Sequence, residues 1–345
     1  MVNVGLIGVG YWGSNLARVL FQLPDSRLHT VCDKNKERLD YIKMSFPLVK
    51  TTQNYRSLLE EPEIEATVVA TEAQLHYQIA KDSLMAGKHV LVEKPLSLTS
   101  EQCRDLIEIA KERKTVLMTG HTFEYNAAVR KLKEYINKGD LGKIYYIYSH
   151  RLNLGKIRQD INALWNFAPH DISIILYLLE SEPIKVSAQG LCCIQEKIED
   201  VVFLNLTFAN GIGAHIHISW LDPSKVRRMT VVGSKKMIIY DDVEPEAKIQ
   251  VYDKGIDKKR LANTLGKFET FGDFQLLLRA GDIFIPKIDF VEPLKVECHH
   301  FIDCIKKGKK PLTDGANGLR VVKVLESAQK SLDNNGIPQD INQEI

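Results

Sequence analysis

Two short clusters carry side chains suited to moving a proton and stabilising charge on oxygen. Glu93-Lys94-Pro95 follows an apolar run, and Ala168-Pro169-His170-Asp171 lies further along the chain. Histidine has the unperturbed pKa closest to 7, so it can accept a hydroxyl proton. A lysine ammonium beside the same oxygen stabilises developing negative charge and favours a neutral imidazole. His170 and Lys94 therefore suit alcohol oxidation. Alone, the Lys94 cluster is equally compatible with a surface ion pair, and a histidine at a helix start is more often a cap or a packing residue.

A glycine-rich turn near the start of the chain predicts a dinucleotide site. Gly8-Val9-Gly10-Tyr11-Trp12-Gly13 follows an apolar run, and Asp33 closes the next one. In such a turn the first glycine allows the bend, the second lets backbone approach a pyrophosphate, and the third lets helix and sheet pack closely. The predicted helix from Ser14 to Gln22 then turns free N–H groups toward the phosphates. The strand before, the helix after and the acidic residue distinguish this turn from a chance glycine pattern.

Length and charge narrow the class of protein. A chain of 345 residues favours two domains, and a net charge of +2 provides no strong field for nucleic acid or an anionic membrane. Apolar runs fall short of the roughly 18 residues that span a bilayer, and Met1 leads directly into a strand. We therefore expect a cytoplasmic protein that binds neither nucleic acid nor membrane.

The clusters of cysteine and histidine contain metal-binding side chains, but packing explains them better than a metal site. The six cysteines form no CxxC pair and lie in apolar runs, so buried reduced thiols are expected. Cys298-His299-His300 with Cys304 lies in an amphipathic helical pattern, where packing is the better interpretation. His215 and His217 share one face of a strand, and no third ligand is apparent nearby.

The first 121 residues alternate apolar strands with amphipathic helices. This pattern predicts a dinucleotide-binding Rossmann domain with a doubly wound parallel sheet. Its strands are predicted at Val2 to Ile7, Leu28 to Cys32, Ala66 to Ala70, His89 to Val92 and Val116 to Thr119, with helices including Gln74 to Ala86 and Ser100 to Arg113.

Residues 122–345 predict a second, α+β domain that binds substrate and forms oligomers. Helices are expected at Ala127 to Lys138 and from about Asp171 to Leu179, and a helix at 318–332 is expected to pack back on the first domain. The strands predict an open, mostly antiparallel sheet, whose free face would pair with another subunit. They are expected at Lys143 to Asn153, Ile184 to Leu191, Val201 to Phe208, Ala214 to Trp220, Arg228 to Gly233, Met237 to Tyr240 and Ile249 to Tyr252.

Taken together, the motifs resemble the glucose-fructose oxidoreductase and inositol dehydrogenase family of NAD(P)-dependent sugar and cyclitol oxidoreductases. The resemblance covers nearly the whole chain and rests on the glycine turn and Asp33, Val69-Ala70-Thr71 with His76, and the two clusters around Lys94 and His170. It implies a Rossmann domain followed by a domain whose sheet mediates a homodimer or homotetramer.

The resemblance also implies roles for individual residues. Asp33 would bind the adenosine ribose and favour NAD over NADP, although Lys34 and Lys36 lie nearby. Gly8, Gly10, Tyr11, Trp12, Gly13, Thr71, His76, Glu93 and Lys94 would form the cofactor site, with the last two near the nicotinamide and substrate. His170 would take the hydroxyl proton, and Lys94 would polarise the oxygen.

One position departs from the family pattern. Relatives commonly carry an aspartate four residues before this histidine, whereas this chain has Asn166. Asparagine can orient a hydroxyl but cannot exchange protons. Either His170 and Lys94 suffice, or activity is weakened, or the protein is a catalytically silent NAD-binding protein.

The segment before His170 points to a substrate class. Residues 151–158 with Asn162-Ala163-Leu164-Trp165 resemble the subgroup that oxidises C3 of nucleotide-linked amino sugars such as UDP-N-acetylglucosamine or its uronic acid. Trp165 can stack on a sugar, and Arg151, Asn153, Lys156 and Arg158 offer polar groups for an anion or a hydroxyl. A solvated basic loop over a packed tryptophan explains them equally well. A free-sugar or cyclitol dehydrogenase is the first alternative.

Overall fold

The computed structural model describes residues 1–155, 157–256 and 278–341. The chain forms two compact units, the first from Met1–Asn126 with Val291–Glu326 and the second from Ala127–Phe290 with Ser327–Ile345. The sequence predicted a boundary between residues 121 and 122 and a helix at 318–332 that packs back on the first domain; in the structure, Val291–Glu326 belong to the first unit. That segment buries Leu294 and Phe301 in the same apolar cluster as Val4 of the first strand.

The elements of the described residues follow the predicted alternation closely. The strands are β1 (Val2–Ile7), β2 (Ser26–Cys32), β3 (Lys50–Thr52), β4 (Ala66–Val69), β5 (His89–Glu93), β6 (Leu117–Gly120), β7 (Ile144–Leu152), β8 (Pro183–Leu191), β9 (Val201–Phe208), β10 (Gly213–Ser219), β11 (Val226–Gly233), β12 (Met237–Asp241), β13 (Ile249–Ile256), β14 (Leu278–Phe284) and β15 (Gln339–Asp340). The helices are α1 (Tyr11–Gln22), α2 (Lys36–Ser45), α3 (Tyr55–Glu60), α4 (Ala73–Met85), α5 (Ser100–Arg113), α6 (Ala127–Asn137), α7 (Ala163–Leu179), α8 (Pro293–Lys307) and α9 (Gly315–Asp333), and a 3₁₀ turn covers Thr122–Tyr125.

The first unit is a doubly wound sheet with strand order β3-β2-β1-β4-β5-β6 and parallel pairing throughout. Every residue of β4 is buried, as expected for a strand covered by helices on both faces. The strand order reverses between β1 and β4, and ligands bind such sheets beyond the carboxyl ends of the strands at that point. The predicted Rossmann fold is confirmed.

The second unit contains a nine-stranded sheet in the order β14-β13-β12-β11-β7-β10-β9-β8-β15. Neighbouring strands are antiparallel except for β7 and β10, which run parallel. The side chain of Arg151 on β7 is bonded to Asp171 on α7, so alternate residues of β7 face this helix. The predicted open, mostly antiparallel sheet is confirmed.

Helix α7 begins eight residues earlier than predicted. Asn162 caps it, because its side-chain oxygen accepts a hydrogen bond from the N–H of Trp165 at 3.2 Å. Pro169 lies inside the helix, where it cannot donate to the carbonyl of Trp165. The predicted start at about Asp171, after this proline, was wrong, because the cap and the buried apolar face keep the helix continuous from Ala163.

The prediction that all the cysteines are buried was also wrong. Cys192 and Cys193 follow the end of β8 and are exposed, whereas the other four are buried. Strand β8 ends at Leu191, so both cysteines lie beyond the sheet. The backbone N–H of Cys193 donates to Asp200 Oδ2 at 2.8 Å. No helix of the described residues is both long and apolar enough to cross a membrane.

Candidate functional site

The turn from β1 into α1 admits only glycine at two positions. Gly8 has a φ of +93°, and a Cβ placed there would lie 2.6 Å from the carbonyl oxygen of Ala70. A Cβ on Gly13 would overlap the carbonyl oxygen of Gly8. Over Gly10, by contrast, the nearest group to an added Cβ is the Arg38 guanidinium at 3.8 Å. The turn thus leaves the backbone at Gly10 open, as the approach of a pyrophosphate would require.

The N-terminus of α1 suits the same ligand. Gly10 is the N-cap residue. Because glycine has no side chain, no capping hydrogen bond from this residue occupies the N–H groups of the first turn. The first-turn N–H groups are therefore available to an anion. Tyr11, the first helical residue, and Trp12 are both exposed.

Asp33 lies beside this turn and is held by backbone donors. Its carboxylate accepts the N–H of Val9 and the N–H of Asn35, both at 2.8 Å, and the guanidinium of Arg38 lies 3.4 Å away. A carboxylate has further lone pairs, so it can also accept ribose hydroxyls. The cation at this carboxylate is Arg38, whereas the sequence had pointed to Lys34 and Lys36.

His76 is buried and joins two loops at the carboxyl edge of the sheet. Its Nδ1 lies 2.7 Å from the carbonyl oxygen of Pro95, and its Nε2 lies 3.1 Å from that of Thr71. Burial lowers the pKa of the imidazole. His76 therefore holds the backbone after β4 and β5, while Thr71 remains partly exposed.

Glu93 ends β5 and is bonded to the glycine turn. The indole N–H of Trp12 donates to Glu93 Oε1 at 2.6 Å, and the N–H of Lys94 donates to Oε2 at 3.3 Å. Burial raises the pKa of Glu93 to about 7, although the Lys94 charge and both donors oppose the shift. A Cβ on Gly120 would lie 3.1 Å from this carboxyl group, so the glycine at the end of β6 makes room for it.

Asn166 and His170 lie one turn apart on α7. This spacing places both side chains on the same helix face, and both residues are partly exposed. The indole N–H of Trp165 donates to the side-chain oxygen of Gln329 at 3.1 Å, which fixes the ring. One helix therefore carries the predicted proton acceptor and its asparagine neighbour.

The predicted substrate residues occupy different environments. Arg151 is buried, with Nε 2.5 Å from Asp171 Oδ2, so it supports α7, and direct binding of a diphosphate is disfavoured. Arg158 is partly exposed and forms an ion pair with Asp160 at 2.5 Å. Asn153 follows β7 directly and is partly exposed, whereas Lys156 lies outside the described residues.

The histidine and cysteine clusters make ordinary packing contacts. His215 is bonded to Asn205 at 2.8 Å, and the ring of His217 stacks on Phe203 with centroids 4.6 Å apart. Cys298 and Cys304 are buried within α8. Within the described ranges, no three His, Cys, Asp or Glu side chains are arranged to hold a metal ion.

Two models of one protein family match the chain. Residues 2–121 match the model described as an oxidoreductase family with an NAD-binding Rossmann fold, and residues 129–239 match the GFO/IDH/MocA C-terminal domain. The space over Gly10, the uncapped helix and Asp33 fit NAD in the first of these regions.

Named relatives match over nearly their full lengths. UDP-N-acetylglucosamine 3-dehydrogenase of Acidithiobacillus ferrooxidans is 27% identical over 327 residues, which are 93% of this chain and 94% of that enzyme. Myo-inositol 2-dehydrogenase of Thermotoga maritima is 25% identical, with 96% of each chain covered. The solved structure of GenD2 from gentamicin A biosynthesis, in complex with NAD, shares the fold with a TM-score of 0.82 at 21% identity, covering 99% of this chain and 97% of that one.

Proposed function

The chain belongs to the GFO/IDH/MocA family of NAD-binding oxidoreductases, and on that premise we propose that it oxidises a secondary ring hydroxyl, at C3, of a nucleotide-linked amino sugar. UDP-N-acetylglucosamine and its uronic acid are the substrates proposed. The observation that carries this proposal is the near full-length similarity to UDP-N-acetylglucosamine 3-dehydrogenase.

The chemical step assigns one role to each of two side chains. The imidazole of His170 takes the hydroxyl proton, while the ammonium of Lys94 stabilises the negative charge that develops on the same oxygen. NAD, when bound, supplies the acceptor for the hydride that leaves the carbon. Asn166, one helical turn from His170, orients a hydroxyl through its amide. The proposal requires both Lys94 and His170 to reach one substrate hydroxyl.

The coenzyme is proposed to be held by the turn at Gly8 to Gly13 and by Asp33. The carboxylate of Asp33 accepts the ribose hydroxyls and repels a 2′-phosphate, which favours NAD over NADP. Thr71 and Glu93, at the carboxyl edge beyond β4 and in β5, lie on the side of the sheet assigned to the nicotinamide half.

The sugar and its anion are proposed to bind the segment that joins β7 to α7. The indole of Trp165 offers a flat face to a sugar ring, and Asn153 offers an amide to hydroxyls. Arg158 can exchange its exposed partner Asp160 for a diphosphate, because a surface ion pair of this kind is weak. Arg151 acts indirectly, by holding Asp171 and with it α7.

A comparison of substrates tests the proposal. NADH absorbance is followed with NAD and, in turn, UDP-N-acetylglucosamine, its uronic acid, myo-inositol and glucose. Turnover of a nucleotide sugar is expected. The similarity to myo-inositol 2-dehydrogenase makes a cyclitol the second candidate. Turnover of inositol or glucose without turnover of any nucleotide sugar would exclude the first proposal and support the second.

Asn166 raises the further alternative of a silent NAD-binding protein. Comparing the wild type with Asn166→Asp under the same assay separates the two cases. If His170 and Lys94 suffice, both proteins turn over at similar rates. An inactive wild type that gains activity through this substitution identifies a disabled site.

We also propose that the chain forms a homodimer or homotetramer through the nine-stranded sheet. Since Arg151 points to α7, the alternate residues Tyr146, Tyr148 and His150 point to the opposite face. Tyr146 is 46% exposed on that face. Light scattering should show an oligomer that Tyr148→Asp dissociates, while Tyr41→Asp on exposed α2 has no effect. A monomeric wild type excludes this assembly.

A further inference from the structure

A second buried carboxyl group lies in the first unit near Glu93. Glu297 on α8 is completely buried, and its Oε2 accepts a hydrogen bond from the hydroxyl of Thr122 at 2.8 Å. Its Oε1 is buried and has no hydrogen-bond partner among the described residues. An ionised carboxylate in this position would be a buried charge that a single hydroxyl compensates, so the protonated, neutral form of Glu297 is favoured.

The groups around Glu297 reinforce this assignment. The negative charges of Glu93 on β5 and Glu124 in the 3₁₀ turn act on it, and burial together with these charges raises the pKa of Glu297 well above its usual range. His121 does not supply a positive charge, because burial lowers the pKa of its imidazole to about 4. Asn317 binds both His121, at 2.6 Å, and Glu124, at 3.0 Å.

Glu93 differs from Glu297, because both of its carboxyl oxygens accept hydrogen bonds. The indole of Trp12 donates to one oxygen and the N–H of Lys94 to the other, and the Lys94 charge lowers its pKa. Both donors favour the ionised form. Glu93 is therefore the member of the pair that releases a proton first, while Glu297 stays neutral.

We propose that Glu93 and Glu297 form a carboxyl pair that releases one proton when NAD⁺ binds and retains it when NADH binds. The adenosine half of the coenzyme is assigned to Asp33 after β2, so the nicotinamide half extends toward β4 and β5, where Glu93 ends its strand. The oxidised ring is cationic and favours an ionised carboxylate nearby, whereas the reduced ring is neutral. The proton passes from Glu93 to solvent.

Calorimetric titration of the intact protein counts this proton. NAD⁺ and NADH are each titrated at pH about 7 in phosphate and in Tris, whose different ionisation enthalpies report proton transfer to the buffer. Because the pKa of Glu93 is about 7, about half of the coenzyme-free molecules carry this proton at that pH, so the average release with NAD⁺ is about half a proton per site. With NADH the release is close to zero. Equal release with both coenzymes, or none with NAD⁺, overturns the proposal.

The pH dependence of affinity has a defined sign. Lowering the pH protonates Glu93 and removes its attraction for the cationic ring, so NAD⁺ binds more weakly in acid. One pH unit below the midpoint, its Kd rises about fivefold, while that of NADH stays constant. An NAD⁺ affinity that is flat over this range contradicts the pair.

Two variants identify the carboxyl group that releases the proton. Glu93→Gln removes the release, and retention of the release in this variant shows that another group is responsible. Glu297→Gln keeps a neutral group of the same shape, so the release persists with the same midpoint. If Glu297→Gln abolishes the release at pH about 7, Glu297 was not the neutral partner and the proposal fails.

The emission of Trp12 supplies a test that needs no change at Glu93. Its indole donates to the Glu93 carboxyl, so emission of the coenzyme-free protein should change with a midpoint near the Glu93 pKa of about 7. Trp12→Phe should lack this transition. A wild type without it contradicts the proposal. None of these measurements includes a sugar, so their outcome is independent of the substrate proposed above.

Discussion

Gly10→Ala separates the folding role of the glycine turn from its proposed role in binding NAD. Gly10 has a φ of −65°, which any residue adopts, and an added Cβ would come no closer than 3.8 Å to any group beyond its immediate neighbours. Folding therefore needs no rearrangement. The stiffer unfolded chain should even stabilise the protein, by about 0.4–1 kcal/mol.

The effect of Gly10→Ala on NAD should be large. The methyl group takes the space through which the pyrophosphate approaches the backbone, so at least one hydrogen bond to a charged phosphate is lost. Such a bond contributes about 1.5–3 kcal/mol. The Kd for NAD should then rise by a factor of about 10 to 150. Calorimetric titration measures the Kd, and thermal unfolding without coenzyme measures the stability.

Gly213→Ala is the matched control. Gly213 begins β10 and has no atom within 4 Å of an added Cβ, so this substitution is accommodated without rearrangement too. Both substitutions replace glycine by alanine and therefore stiffen the unfolded chain in the same way. The control should bind NAD as the wild type does. If Gly10→Ala is stable and binds NAD with unchanged affinity, the pyrophosphate does not pass over Gly10 and the assignment of the turn is wrong.

Three further substitutions test other parts of the structure. Gly13→Ala should lower the free energy of unfolding by about 1–3 kcal/mol in urea denaturation, because its Cβ overlaps the carbonyl of Gly8; unchanged stability would contradict the packing. Asp33→Asn should raise the affinity for NADP relative to NAD about tenfold, since it removes the negative charge beside Arg38. An unchanged ratio of the two Kd values would exclude Asp33 as the selecting residue. Arg151→Met should cost about 3–5 kcal/mol in urea denaturation, because Asp171 is left buried without its cation, and a loss below about 1 kcal/mol would refute the burial of that pair.

Much of the first unit could be predicted from the sequence because its strands are short apolar runs separated by helices. The predicted bounds of β1 and α5 agree with the structure, and the other predicted strands there differ by at most two residues at an end. Strand β3 was missed because Lys50–Thr52 is a three-residue edge strand in which no side chain is fully buried. Local periodicity carries too little information in so short a polar segment.

The contacts that the sequence did not reveal join residues far apart in the chain. Burial and the negative charge of Glu93, about 200 residues earlier, raise the pKa of Glu297. No local pattern marks Glu297, because an acidic residue in an amphipathic helix usually faces solvent. Arg151 looked like a surface cation because alternation along β7 shows that two faces exist but not which one a helix covers. In both cases burial, which depends on tertiary packing, decided the chemistry.

Lys94 and His170 are proposed to act on one hydroxyl oxygen. The direct measurement is kcat/KM for NAD-dependent oxidation of UDP-N-acetylglucosaminuronic acid by the wild type, Lys94→Met, His170→Asn and the double variant. Two groups acting in the same transition state should give non-additive losses, so the double variant should be about as slow as the slower single variant. Losses that simply multiply would show that the two side chains act independently and would contradict their joint action on one oxygen.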